Sequence, residues 1–200
     1  ITMEVKTQNW QRSMTMQAWS KDMDYTLVRI LSPKKEKGIS TLKRHNQMWN
    51  YFPKIRKVIK VPPSMMMGSW MGSDFTNDDL VREVSLAKEY RVSLSSTDTV
   101  HTLTLIPKAN TVTVWGKIIA TVDSKTLLPI KQIYFDEDGT AMREMAFSNN
   151  KNFDGKLLPS VMTLTPLNKH NQYTKMTYDS LTFNTGVDSD VFTLRNLKRR

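Results

Sequence analysis

The sequence predicts a mainly β protein, folded as a curved, incomplete antiparallel β-barrel with a helical plug. Three observations carry this expectation. β-Forming residues alternate with polar ones at period two along most of the chain. Nowhere does a ten-residue helix fit between consecutive strands, so neighbouring strands must be antiparallel. Several strands are apolar on both faces, as in Trp115-Gly116-Lys117-Ile118-Ile119-Ala120, so the sheet must be covered on one side and closed or occupied on the other.

The elements follow in order. Met3 and Val5 open the first strand, and Met14, Met16 and Ala18 share one side of the next. Further strands are expected at Tyr25–Leu31, Gly38–His45, Met48–Phe52 and Val58–Val61. Asp78 to Glu83 reads as a short helix, with Asn77 as N-cap and carboxylates suited to a helix N-terminus. Then come strands at Glu89–Leu94, Val100–Pro107, Thr111–Val122, Ile130–Phe135, Ala141–Phe147, Val161–Leu167 and Tyr173–Phe183. Asp136-Glu137-Asp138-Gly139 and Asn152-Phe153-Asp154-Gly155 put Asp-Gly where a hairpin needs positive φ. Asp123 to Thr126 is a looser turn, and Ser189 to Phe192 starts a brief closing helical turn. No repeat or linker divides the 200 residues, which are read as one domain, 1–200.

Composition narrows the chemistry. The absence of cysteine excludes disulfides, thiolate metal sites and thiol catalysis. No apolar run approaches the ~18 residues of a spanning helix. The net charge of +10 is spread along the chain, and no nucleic-acid module interleaves the basic residues with aromatics, so no nucleic-acid partner is expected. The charge equally allows attraction to anionic lipid headgroups or an acidic partner. Lys54, Arg56, Lys57 and Lys60 form the densest basic patch, whose plainer reading is a strand with one solvated face. His45, His101 and His170 are isolated, so no metal is expected. Gly68-Ser69-Trp70-Met71-Gly72 is not a nucleophile elbow, and Asp136 to Gly139 lacks the alternating ligands of a calcium loop. No catalytic set and no cofactor motif emerge, so the protein is not expected to be an enzyme.

One segment departs from the rest. Between Pro62 and Asp79 lie Met65, Met66, Met67, Trp70, Met71 and Phe75, and no charged residue occurs from Val61 to Ser73. Methionine is flexible and polarizable, so such a cluster suits partners of variable shape. The residues alone leave two readings even: a cover buried on the protein's own core, or a surface that meets a ligand.

The stretch from Gln47 to Val58, containing Trp49-Asn50-Tyr51-Phe52-Pro53 and a basic run, is followed by Met71-Gly72-Ser73-Asp74-Phe75 and Asp78-Asp79-Leu80. Together these resemble the outer membrane lipoprotein-sorting proteins, a LolA-like periplasmic family. Val122-Asp123, Leu128 to Lys131, Tyr134 to Gly139 and Ser189 to Phe192 extend the likeness over nearly the whole chain. The resemblance implies a LolA-like half-barrel with an apolar concave face, closed by short helices as a lid at 62–84, with Gly68 and Gly72 allowing bends. It implies lipid or lipoprotein acyl chains as cargo, carried toward the outer membrane, with an inner-membrane transporter and an outer-membrane acceptor as partners. Met65, Met66, Met67, Trp70, Met71 and Phe75 would then meet the cargo, with Trp49, Tyr51 and Trp115 as groove walls. The setting implied is the Gram-negative periplasm, and the start at Ile1 fits a processed or trimmed chain whose signal peptide has been removed. Family members carry a helix ahead of the first strand, whereas this chain opens almost at that strand. The alternative on the same scaffold is a periplasmic sensor or interaction module, of the envelope-stress regulator type or accessory to a resistance-nodulation-division transporter.

Overall fold

The computed structural model describes residues 1–22, 24–81, 86–111 and 113–199. The elements are β1 (Thr2–Lys6), β2 (Gln11–Lys21), β3 (Tyr25–Ser32), β4 (Ser40–Arg44), β5 (Gln47–Phe52), β6 (Lys57–Lys60), α1 (Asn77–Val81), α2 (Leu86–Glu89), β7 (Tyr90–Ser96) and β8 (Val100–Pro107). They continue with β9 (Lys117–Asp123), β10 (Pro129–Phe135), β11 (Ala141–Phe153), β12 (Lys156–Pro166), β13 (Tyr173–Thr177) and α3 (Leu194–Leu197). Single 3-10 turns lie at Pro63–Met65 and Ser189–Phe192. The fold is therefore mainly β, an antiparallel sheet of thirteen strands that does not close into a barrel, with short helices.

The chain forms two compact units. The first holds residues 1–5, 11–83 and 178–200, with strand order β6-β5-β4-β3-β2-β1. Its sheet is covered on both faces. On one, Leu27, Leu42 and Tyr51 pack with Phe192 and Leu197 of the C-terminal segment. That segment is held by its own caps: the Asp188 carboxylate accepts from the Asp190 N–H, and the Thr193 hydroxyl from the Asn196 N–H. The Arg29 guanidinium, its pKa lowered by burial and by Arg199, donates to the Asn196 carbonyl at 2.8 Å. The pairing of Leu42 with Leu27 and of Thr41 with Asn50 fixes the other face, where Met16, Val28, Ile30 and Met48 are buried.

The second unit holds residues 6–10 and 84–177, with strand order β13-β12-β11-β10-β9-β8-β7. Its longest hairpin joins β11 and β12 through Asp154 and Gly155, at φ 52° and 83°. This is the positive-φ pair that a two-residue hairpin needs. The hairpin carries β11 six residues beyond the expected end at Phe147, and the Phe153 side chain at its tip is buried.

Three expectations are corrected here. The strand expected at Thr111–Val122 starts only at Lys117. Gly116 lies against the β10 turn, where its N–H donates to Phe135 O at 3.0 Å, and an added Cβ would sit 2.5 Å from Asp136 O. The last strand stops at Thr177 rather than Phe183. The helix after Asn77 is capped one residue earlier: Thr76 Oγ1 accepts from Asp79 N–H at 3.1 Å, while Asp79 accepts from Thr76 N–H at 2.8 Å. That reciprocal pair is a capping box, and it frees Asn77 for another task. The Arg82 and Glu83 end of the expected helix lies outside the described residues.

Candidate functional site

The Met-rich segment of the first unit is a self-braced loop. Trp70 N–H donates to Phe75 O at 2.7 Å, and Ser69 bridges Thr76. Met71 and Gly72 take positive φ, 51° and 65°, and Ser73 N–H closes the turn on Trp70 O at 2.9 Å. Glycine adopts this conformation without cost, which explains Gly72. Asn77 is buried and its amide donates to Met65 O at 3.0 Å and Gly68 O at 3.2 Å, tying the far end of the loop to its start.

Two of the six apolar residues fix this loop to the sheet. Trp70 is 1% exposed and Phe75 3%, and the Trp70 indole N–H donates to Thr41 Oγ1 at 3.0 Å. Thr41 in turn donates to Asn50 Oδ1 at 2.7 Å, so the buried indole N–H ends in a satisfied chain. Arg12 adds a second tie by donating to Met71 O, with Glu36 at 3.9 Å from its other side. Met65 and Met67 face outward, 59% and 43% exposed, whereas Met66 and Met71 are half-buried.

The other sequence-derived residues are dispersed. Trp49 and Tyr51 lie on the opposite sheet face from Trp70, in the cluster closed by Phe192 and Leu197. Trp115 belongs to the second unit, edge-on to Tyr134 at 5.2 Å. The buried Arg143 guanidinium lies 4.5 Å from the Trp115 ring and 4.3 Å from that of Tyr134. Such desolvated cation–π contacts are worth about 2 kcal/mol. Of the basic patch, Lys54, Arg56 and Lys57 are exposed around the β5–β6 turn, and Lys60 lies over the Trp49 ring at 5.6 Å. The patch is solvated, and nothing acidic is seen against it among the described residues.

A surface that the sequence did not reveal lies on one face of the second unit. Register places Val92 against Leu105, Leu94 against Leu103, and Leu103 against Ala120. Across the sheet, Met145 faces Leu164 and Phe147 faces Met162, which faces Met176. Leu105, Ile118, Met145, Leu164 and Met176 form a buried floor. Leu103, Val122, Phe147 and Met162 are only half-buried, and Val92 and Leu94 are 44% and 65% exposed. This face is therefore buried toward its middle and exposed at the β7 edge, where Val92 and Leu94 reach solvent. Among the described residues no three of His, Asp or Glu gather as metal ligands, and no helix is long and apolar enough to cross a membrane.

The unclosed antiparallel sheet with short helices is shared by several solved structures. The family model that matches residues 22–199 is described as uncharacterized-protein-like, and the chain belongs to that family. No curated protein matches it in sequence. Among solved structures it is similar to a Vibrio parahaemolyticus protein provisionally described as an outer membrane lipoprotein-sorting protein domain, at 22% identity and TM-score 0.85, over 99% of this chain and 89% of that one. A DUF1329 family protein from Desulfovibrio piger aligns at 20% identity and TM-score 0.84, over 98% and 88%. A LolA superfamily protein from Nitrosomonas europaea aligns at 18% and 0.75, over 98% and 89%. The fold is thus LolA-like, as the central motifs had implied.

Proposed function

We propose that the chain, acting as one domain, is a non-enzymatic periplasmic carrier that shields lipid or lipoprotein acyl chains on their way to the outer membrane. The observation that carries this reading is the half-open apolar face of the second unit. There Leu94, Leu103, Ala120, Met145 and Leu164 share one cross-strand row, interrupted at Gln132, and exposure rises from the buried Leu164 to the exposed Leu94. Each buried methylene is worth about 0.8 kcal/mol, so about ten of them on such a face yield about 8 kcal/mol with no polar group required. Within the first unit, the Met-rich part of the expected lid at 62–84 offers Met65, Met66, Met67 and Met71 as adaptable apolar contacts, with Trp70 and Phe75 as its anchors. Trp115 is a wall residue held by Arg143, whereas Trp49 and Tyr51 serve the fold. Support comes from the lipoprotein-sorting and LolA superfamily descriptions of the structural neighbours.

The test is native mass spectrometry on protein purified from a Gram-negative host, together with titration of a fluorescent acyl probe. The expected result is a retained acyl-bearing species in the wild type and a probe affinity reduced at least about tenfold in Leu94→Glu, since a charge on an apolar contact costs more than 1.4 kcal/mol. Leu94 is exposed, so the variant folds normally. A wild type that retains no lipid where a known carrier does, and captures a stable protein partner instead, would overturn carriage in favour of an interaction module.

A further inference from the structure

The opposite face of the second unit carries a groove of quite different chemistry. It has a volume of about 410 Å³ and lies over β12 and β13, with Lys6, Lys169 and Lys175 in its lining. Thr163, Thr165, Asn171, Gln172 and Tyr173 complete the lining, which holds no carboxylate residue; Glu144, the register partner of Thr165, is on the same face beside it. Thr163 pairs with Lys175, while the intervening Leu164 and Thr174 point to the buried side, so strand alternation sorts the donors onto this face. Lys6 is held over the Tyr173 ring at 5.9 Å, which positions one ammonium group at the groove without a carboxylate partner being needed. Asn171 takes φ 54°, which turns the β12–β13 connection back beside the groove and brings Lys169 to its edge.

We propose that this groove binds a phosphate-bearing ligand. Ammonium, hydroxyl and amide donors converge there, and a phosphate oxyanion accepts several such bonds at once and is stabilised by the local positive charge. Lys6 and Lys169 carry the electrostatics and the three hydroxyls the geometry. The same chemistry is offered by a phospholipid headgroup and by free phosphate. The inference stands apart from acyl binding, because it uses the other sheet face and none of the apolar residues.

Two probes separate the sources. Inorganic phosphate is titrated calorimetrically, and phosphatidylcholine vesicles with and without phosphatidylglycerol are tested by flotation at physiological salt. Both are run on the wild type, on Lys6→Gln/Lys169→Gln, and on Lys34→Gln/Lys37→Gln, which removes equal charge from an exposed turn of the first unit. A lysine near an anionic surface is worth about fivefold in affinity, so the groove variant, which lacks two, is expected to lose about twenty-fivefold and the control about twofold or less. Loss of phosphate binding identifies a free anion as ligand, and loss confined to phosphatidylglycerol vesicles identifies a headgroup. Either result supports the site. The proposal is overturned if the wild type binds neither probe, or if the control loses as much as the groove variant, which would show diffuse charge alone. Acyl-probe binding in the groove variant remains at the wild-type level, so failure of this site and failure of lipid carriage are read separately.

Discussion

The two units use their sheets differently. In the first, β4 is buried at Ser40, Thr41, Leu42 and Lys43, on both faces, because the Met-rich loop covers one side and the C-terminal turn the other. In the second, β7 is buried only at Tyr90 and exposed from Arg91 to Ser96, although Val92 and Leu94 are apolar. An apolar strand that a protein covers with its own chain contributes to stability. One left open contributes little to stability, and under the proposed function it is the surface that meets cargo.

Substitutions can break this contrast or refine it. Trp70→Ala removes a fully buried indole and its bond to Thr41, and should cost about 3–5 kcal/mol in urea denaturation. Leu94→Ala in the second unit should cost less than about 0.5 kcal/mol. If both cost the same, the distinction between covered and open faces is wrong. Gly116→Ala forces a Cβ onto the backbone at Asp136 and Glu137 and should cost about 1–3 kcal/mol, with the loss seen first as faster amide exchange in β9 and β10. Asn77→Ala leaves the Met65 and Gly68 carbonyls without the amide and should cost about 1–2 kcal/mol. Its signature is faster proteolysis within 65–77, with β11–β12 protection unchanged.

The smallest effect is expected from acid. The Asp123 carboxylate is held below its ordinary value of 3.8 by the Thr126 N–H and hydroxyl and then by the Lys125 N–H. A group depressed on folding stabilises above its unfolded value and loses that contribution as pH falls through the folded one. The thermal-stability gap between wild type and Asp123→Asn should therefore be constant above the ordinary value and close only at pH below 3.8. A gap that closed at neutral pH would contradict the assignment.

Much of the fold was legible because strands announce themselves by period two and hairpins by Asp-Gly. Val100–Pro107 was expected with the bounds it has, and Asp154-Gly155 turns where it should. The misses have physical causes. Ser148 to Asn152 are polar, so nothing in their pattern showed that β11 runs on as a two-stranded arm. Leu194–Leu197 is one turn, too short to display a helical period. Gly116 breaks its strand through a neighbour 20 residues away, which no local window contains. The candidate site was legible only in part. The Met-rich segment stood out by composition, but the division between inward Trp70 and Phe75 and outward Met65 and Met67 depends on the turn at Met71 and Gly72. The open face of the second unit was hidden because Ile118 and Ile119 are both apolar, and only register decides which of them joins Leu105.

The bracing of the Met-rich loop has a mechanical consequence. Its ends are stitched by Asn77 to Met65 and Gly68, and by Asp78 N–H to Met66 O at 2.8 Å, so the loop cannot peel open residue by residue. Opening is therefore expected to release Trp70 and Phe75 together. Opening is then a single switch-like step with one rate constant, and a tryptophan-fluorescence trace of it should follow one exponential.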